Sequence, residues 1–250
     1  MRKPIVLTRA ILKKIVLTRP GRKGDNGRLL VAGGSKKYHG APLLAIEAAS
    51  RFVDLIYYYS PHAPNAQVKQ KNKCFISVEK PNPNRVDCVL IGNGLDVNPE
   101  NKRLVNQLLK KSKRAVLDAG AIRMAGSFEG TIVTPHAREF EDVFKLKASK
   151  ANALRVAKQN NCVVLLKGKI DFIASPARVR ENRTGNEVMT RGGTGDVLAG
   201  LCAALHCKNP AFESACAAAW INGRAGDKLK RRRRVFNAED LARALPEALK

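Results

Sequence analysis

The stretch Arg191-Gly192-Gly193-Thr194-Gly195-Asp196 runs straight into Val197-Leu198-Ala199-Gly200-Leu201-Cys202-Ala203-Ala204-Leu205. Three glycines and a threonine precede a run that reads as a buried helix. Glycine lets the backbone turn tightly and approach a ligand. A helix beginning there directs its unpaired N–H groups and the positive end of its dipole into the turn. The pattern predicts a seat for phosphate or a developing oxyanion, built from the amides of Gly193, Thr194 and Gly195. Asp196, at the mouth of the same helix, has two readings. One is an N-terminal cap worth about 1 kcal/mol. The other is a base that takes a proton from a hydroxyl while a phosphoryl group is handled beside it.

The flanking sequence reads as a parallel α/β sheet. Upstream, Arg28–Ala32 is a short apolar strand ended by Gly33-Gly34-Ser35, and a helix follows from Ala41 to Ser50 with alanines at packing spacings. Strand, glycine turn and helix form the repeating unit of a parallel sheet. Further strands read at 53–59, 74–78, 86–91, 114–118, 132–134 and 163–166, with 171–175 as a hairpin partner. The stretch from Pro61 to Lys73 reads as a polar loop. Helices read at 101–111, 148–160 and 210–225, the last ended by Gly223-Arg224-Ala225-Gly226-Asp227. Lys228 to Arg234, six basic residues in seven, reads as a solvated loop. Asn237, with Asp240 three residues on, caps a final helix through Leu249. In open α/β sheets ligands bind at the carboxyl ends of the strands. That places Gly92-Asn93-Gly94-Leu95, Asp118-Ala119-Gly120, Pro135-His136 and Lys167-Gly168 at the ligand edge. Lys167 there reads as a partner for phosphate, and His136 as a hydrogen-bonding ligand residue.

Length and composition fit one large domain or two small ones. The chain of 250 residues carries 46 Lys and Arg against 21 Asp and Glu, a formal charge of +25. That balance favours anionic partners, but the basic residues are spread along the whole chain, which favours a solvated surface. Nucleic acid is not expected as a partner, because no aromatic residues interleave the basic run at 228–234. Six cysteines, none in a Cys-x-x-Cys pair, exclude a disulfide framework or a zinc site. No apolar run approaches the ~20 residues needed to span a bilayer. A cytoplasmic homo-oligomer with no membrane partner is expected. Ile-Val-Leu-Thr-Arg occurs at 5–9 and again at 15–19, and no function is assigned to the repeat.

Several motifs together carry a family resemblance over residues 20–250. Gly192-Gly193-Thr194-Gly195-Asp196 is similar to the anion-hole motif of ribokinase-like enzymes. Lys23-Gly24-Asp25 and Gly34-Ser35…Tyr38…Gly40-Ala41 resemble the opening of the ADP/ATP-dependent NAD(P)H-hydrate dehydratases. Thr134-Pro135-His136…Glu139 is similar to that family's Thr-Pro-His-x-x-Glu signature. The resemblance implies a three-layer α/β/α sandwich around a mostly parallel sheet. It implies a dehydratase domain over 20–250, preceded by an extension at 1–19 too short to hold the epimerase domain that family members often carry.

The implied activity is repair of the S-epimer of hydrated NADH or NADPH at the expense of ADP or ATP, with Mg2+. The resemblance implies substrate contacts at Ala41, Gly94, His136 and Asp196. Adenine-nucleotide contacts fall at Lys167, Gly168, Lys169, Ile170, Asp171, Thr194 and Gly195, with Arg178–Arg183 as a basic flank. Catalysis falls to Asp196 and the Gly193 and Gly195 amides; no metal ligand is assigned. Four positions depart from the family pattern: Asp96 for glycine, Gly120 for aspartate, Asp171 for threonine, and Arg191 where small residues are common. Two alternatives stay open. One is a ribokinase-like kinase for a sugar, vitamin or thiazole; the other is a nucleic-acid binder on a retired enzyme fold.

Overall fold

The computed structural model describes residues 5–62 and 74–250. Most of the polar stretch read at 61–73 lies outside the described residues. Nine strands form one sheet: β1 (Arg28–Ala32), β2 (Leu55–Tyr59), β3 (Ile76–Ser77), β4 (Cys88–Ile91), β5 (Ala115–Leu117), β6 (Ile132–Val133), β7 (Val163–Leu166), β8 (Asp171–Ser175) and β9 (Arg178–Asn182). Their spatial order is β3-β2-β1-β4-β5-β6-β7-β8-β9. The first seven neighbours pair in parallel, and β8 and β9 close the edge antiparallel.

Strand side chains alternate between two faces, and both faces are covered. Leu29, Val31, Cys88 and Leu90 point into one core. That core is shared with helices α1 (Gly40–Ala49), α6 (Thr194–His206), α7 (Ala211–Arg233) and α8 (Ala238–Ala244). Leu30, Ala32, Val89 and Ile91 point into the other. Helices α2 (Pro99–Lys111), α3 (Gly120–Met124), α4 (Ala137–Phe144) and α5 (Lys150–Gln159) cover that side. The three-layer expectation is met. Burial on both faces explains why the strands read as continuous apolar runs rather than alternating ones.

Three readings of the C-terminal region are corrected. Gly223 to Asp227 does not end a helix, because α7 continues to Arg233. The two glycines there serve close packing. A Cβ on Gly223 would lie 2.3 Å from Thr184 Oγ1, and one on Gly226 would lie 2.4 Å from Met189 Sδ. The basic run is therefore mostly helical. Its charges stand at the negative end of the helix dipole and pair outward: Lys230 with Glu187 at 2.6 Å, Arg233 with Asp240 at 3.0 Å, and Arg232 with Glu247. Asn237 and Asp240 do form a reciprocal capping box, but α8 gives way at Leu245 to a 3-10 turn that contains Pro246.

Residues 5–19 are docked on the domain. Leu7 N donates to Glu181 O at 2.8 Å, and Glu181 N donates to Ile5 O at 3.2 Å, so this segment covers the open edge of β9. Leu7 and Ile11 are buried in the core behind it. Farther along, the Asn209 side chain accepts from Val16 N at 2.7 Å and donates to Val16 O at 3.0 Å. The repeated pentapeptide thus has two environments. Its first copy pairs with a strand, while its second lies against Asn209.

Helices α1 and α6 touch through their backbones. A Cβ on Gly200 would lie 2.2 Å from Ala45 O and 2.6 Å from Ala45 Cα. Neither partner atom has a rotamer with which to move aside. Gly200→Ala is expected to destabilise the protein by about 1–3 kcal/mol despite alanine's better helix propensity. A lowered urea midpoint with an unchanged slope is the measurement that checks it.

Candidate active site at the carboxyl ends of the strands

Three turns meet where β1, β4 and β5 end. Gly34 N donates to Asn93 O at 2.8 Å. Gly92 adopts φ +120°, and a Cβ there would lie 1.9 Å from Asp118 O, so only glycine lets these turns close on each other. Gly120 is crowded in the same way, with Leu95 O at 2.5 Å from a notional Cβ. A side chain at this position would require the Leu95 carbonyl to shift. Asp96 is exposed, and its carbonyl accepts from Asn101 Nδ2 at 2.9 Å.

The turns gather a polar cluster. Asp118 is buried at the end of β5. Its Oδ1 accepts from Thr134 Oγ1 at 2.7 Å and from Lys167 Nζ at 3.0 Å, and its Oδ2 accepts from Asn93 Nδ2 at 3.0 Å. The same Asn93 nitrogen donates to Asp196 Oδ1 at 2.6 Å. Burial and the neighbouring Asp118 charge push the Asp196 carboxyl up to about 7, against the opposing pull of Asn93 and Lys167. Burial disfavours the Lys167 ammonium, but Asp118, Glu139 and Asp196 outweigh it and hold its pKa above the ordinary lysine value. Lys167 is thus a fixed cation among three carboxylates.

The glycine motif enters from the opposite layer. Gly193 is the N-cap of α6 at φ +92°, and a Cβ there would collide with Leu44 of α1 and Ala238 of α8. Asp196 is the third residue of the helix and makes no side-chain cap, so the capping interpretation is excluded. The Thr194 hydroxyl is buried and donates within the turn, to Met189 O at 2.6 Å and Arg191 O at 2.9 Å. Thr194 N also points back to Arg191 O, at 3.4 Å. The open amides at the helix start are those of Gly193, Gly195 and Asp196, which have no backbone acceptor among the described residues. Lys167 Nζ lies 3.4 Å from where a Gly195 Cβ would be. The cation and the open amides therefore face one small volume, chemistry suited to a phosphoryl group.

The other expected residues fall around this volume. His136 caps α4: its Nδ1 accepts from Glu139 N at 3.2 Å, while Glu139 Oε2 accepts from His136 N at 2.9 Å. With Nδ1 an acceptor, the proton is assigned to Nε2 on the half-exposed ring. Lys167 N donates to Pro135 O at 2.9 Å, joining this turn to β7. Gly168 N donates to Asp171 Oδ1 at 3.0 Å, and Asp171 Oδ2 accepts from Asn182 Nδ2 at 3.0 Å. Asp171 therefore shapes the turn from inside, leaving Lys169 exposed and Ile170 partly so. Ala41 is half-buried in the first turn of α1, and Gly94 packs against the backbone of the exposed Tyr38. The basic flank is divided. Arg178, at the far end of the β8–β9 hairpin, pairs with Glu213 at 2.5 Å; Arg183, at the near end, pairs with Glu181 at 2.9 Å.

Sequence reasoning placed Asp196 and Lys167 but gave no role to Asn93, Asp118 or Thr134 as individual side chains. Each stands within two residues of the end of a strand, the one signal that marks such residues in advance.

The model of the NAD(P)H-hydrate dehydratase family matches residues 29–247. The chain belongs to this family. It is 40% identical over 244 residues to a bifunctional NAD(P)H-hydrate repair enzyme of Archaeoglobus fulgidus, covering 91% of this chain and 52% of that one. It is 35% identical over 262 residues to an ADP-dependent (S)-NAD(P)H-hydrate dehydratase of Cenarchaeum symbiosum, covering 93% and 91%. The chain thus spans about half the length of the bifunctional relatives. A ribokinase-like superfamily protein of Enterococcus faecalis superposes with a TM-score of 0.90 at 23% identity, over 100% of this chain and 96% of that one. That likeness establishes the ribokinase-like fold.

The dehydratase fold holds no closed metal cage here: among the described residues no three His, Cys, Asp or Glu side chains converge to hold an ion. No helix among the described residues is long and apolar enough to cross a membrane.

A stability prediction follows from the raised Asp196 carboxyl. The folded chain keeps this proton up to about pH 7, whereas an unfolded aspartate releases it near its ordinary value of 3.8. Between those values the folded state binds more protons, so stability falls as pH rises through the window. Asp196→Asn is expected to raise the melting temperature at pH 8 and leave it nearly unchanged at pH 4. Parallel thermal melts at the two pH values check this.

Proposed function

We propose that this chain dehydrates the S-epimer of hydrated NADH or NADPH, using ADP or ATP as phosphoryl donor. The observation that carries the proposal is the pairing of one carboxylate of raised pKa, Asp196, with open helix amides and a fixed ammonium beside it. The name of the Cenarchaeum relative, ADP-dependent at nearly full length, supports this choice within the family.

The chemistry proceeds in two stages. Asp196 accepts the proton of the hydroxyl on ring carbon 6 of the hydrate. The hydroxyl oxygen attacks the terminal phosphoryl group; the new P–O bond forms as the bond to AMP (from ADP) or ADP (from ATP) breaks. The Gly193, Gly195 and Asp196 amides and Lys167 hold the negative charge that develops. Phosphate is a far better leaving group than hydroxide. The ring nitrogen lone pair then expels it, the C–O bond breaks, and loss of a proton from ring carbon 5 restores the dihydronicotinamide. The sum is hydrate plus ADP giving reduced cofactor, AMP and phosphate.

His136 Nε2–H and the Ala41 and Gly94 backbones lie where substrate contacts are proposed. Lys169, Ile170 and the Gly168 turn border the nucleotide side. Mg2+ supplies charge neutralisation on the donor phosphates when bound. The nicotinamide substrate favours a cytoplasmic location, and a homo-oligomer remains the expected assembly.

Incubating the chain with hydrated NADH and ADP should restore the absorbance of reduced nicotinamide, with AMP and phosphate formed in equal amounts. Asp196→Asn is expected to lower the rate by about 10³-fold or more, within the usual range for loss of a general base. Lys167→Met is expected to lower it by about 10²-fold. Accumulation of a stable phosphorylated product would instead make the chain a kinase. Undiminished turnover by Asp196→Asn would remove that residue from the mechanism.

A further inference from the structure

Asn93 occupies the turn after β4, and its side chain is fully buried. Its Nδ2 donates to Asp118 Oδ2 at 3.0 Å and to Asp196 Oδ1 at 2.6 Å. A carboxamide nitrogen carries two hydrogens, so these partners use both. They also fix its orientation, because the reversed amide would set its oxygen against two carboxylates. In this orientation Asn93 Oδ1 has no hydrogen-bond partner although it is buried. The fold therefore tolerates an orphan oxygen in order to keep an NH2 group between the two acids.

The two acids are left in different states. Both oxygens of Asp118 are taken, by Thr134, Lys167 and Asn93. Asp196 has Oδ1 taken by Asn93. No protein donor among the described residues reaches its Oδ2. A lone pair already accepting a strong hydrogen bond is a poor proton acceptor, so only Asp196 Oδ2 is equipped to receive a proton.

We propose that Asn93 is a positioning residue that makes Asp196, and not Asp118, the base, and directs the proton to Asp196 Oδ2. The proposal rests on the reading of Asp196 as the base of hydrate dehydration. The charged groups that face Asp196 are Asp118 from the end of β5, Lys167 from the end of β7 and Glu139 from α4. Asn93 is the neutral donor among them. Without it the ionised Asp196 loses its hydrogen bond and meets the Asp118 charge unshielded, so its proton is held to higher pH. The base works ionised, so the acid limb of the rate profile must move upward.

Asn93→Leu, close in volume but without donors, and Asn93→Ser test this in pH–rate profiles of kcat. The expected result is an acid limb displaced by about one pH unit, with about 10-fold less activity at neutral pH, largely recovered at alkaline pH. An unmoved acid limb, or a loss equal at every pH, would overturn the proposal. A second measurement does not depend on turnover. The aspartate carboxyl carbons of the ligand-free protein are followed by 13C NMR against pH, with Asp196→Asn identifying the resonance of Asp196. Its midpoint should rise in whichever Asn93 variant retains native-like spectra; the same midpoint in both proteins would refute the role. Should the wild type fail to dehydrate the hydrate while this midpoint still moves, the proposed function fails and the positioning role stands.

Discussion

Three carboxylates, Asp118, Asp196 and Glu139, share one ammonium, Lys167, at the carboxyl edge of the sheet. Charges of one sign cannot be gathered in a low dielectric without a partner, and a single cation does not neutralise three anions. Between Asp118 and Asp196 the imbalance falls on the group with fewer donors. Asp118 is satisfied by a hydroxyl, an amide and the ammonium. Asp196, buried and beside the Asp118 charge, has one amide and an open oxygen, and it is the carboxyl driven toward neutrality. A carboxyl that titrates near neutral pH follows from burial together with this unequal sharing.

The scaffold exists to hold that inequality in place. Asp118, Asn93 and Thr134 stand on strand ends, and Asp196 stands on a helix from the layer across the sheet. Their distances depend on how closely α6 lies on α1 and how tightly the three turns close. Both contacts are backbone to backbone, at Gly200 against Ala45 and at Gly92 against Asp118. Rigid contacts of this kind transmit position well, which a site built from four separate segments requires. The docked segment 5–19 acts at the other limit of the molecule, covering the β9 edge that the hairpin would otherwise leave open.

The proposed chemistry and the stability of the domain pull in opposite directions at Asp196. A carboxylate set beside Asp118 and away from water destabilises the folded chain at neutral pH, and the same placement prepares it to accept a proton. Such opposition is expected where a fold carries a reactive group.

The sequence by itself determined the layered parallel sheet, because strands buried on both faces must be apolar throughout and glycines must stand where they turn. It also marked the helix start at Gly193 and Asp196 as the candidate base, since an anion seat needs small residues and open amides in one short segment. The extent of α7 was not legible: Gly223 and Gly226 look like a helix stop until Thr184 and Met189 are seen to fill the space beside them. The Asn93 bridge was hidden for a related reason. It joins residues 93, 118 and 196, and no local pattern encodes a hydrogen bond across that separation. Only the tertiary structure decides which acid is left with a free oxygen, because that depends on donors brought together from the ends of three different strands.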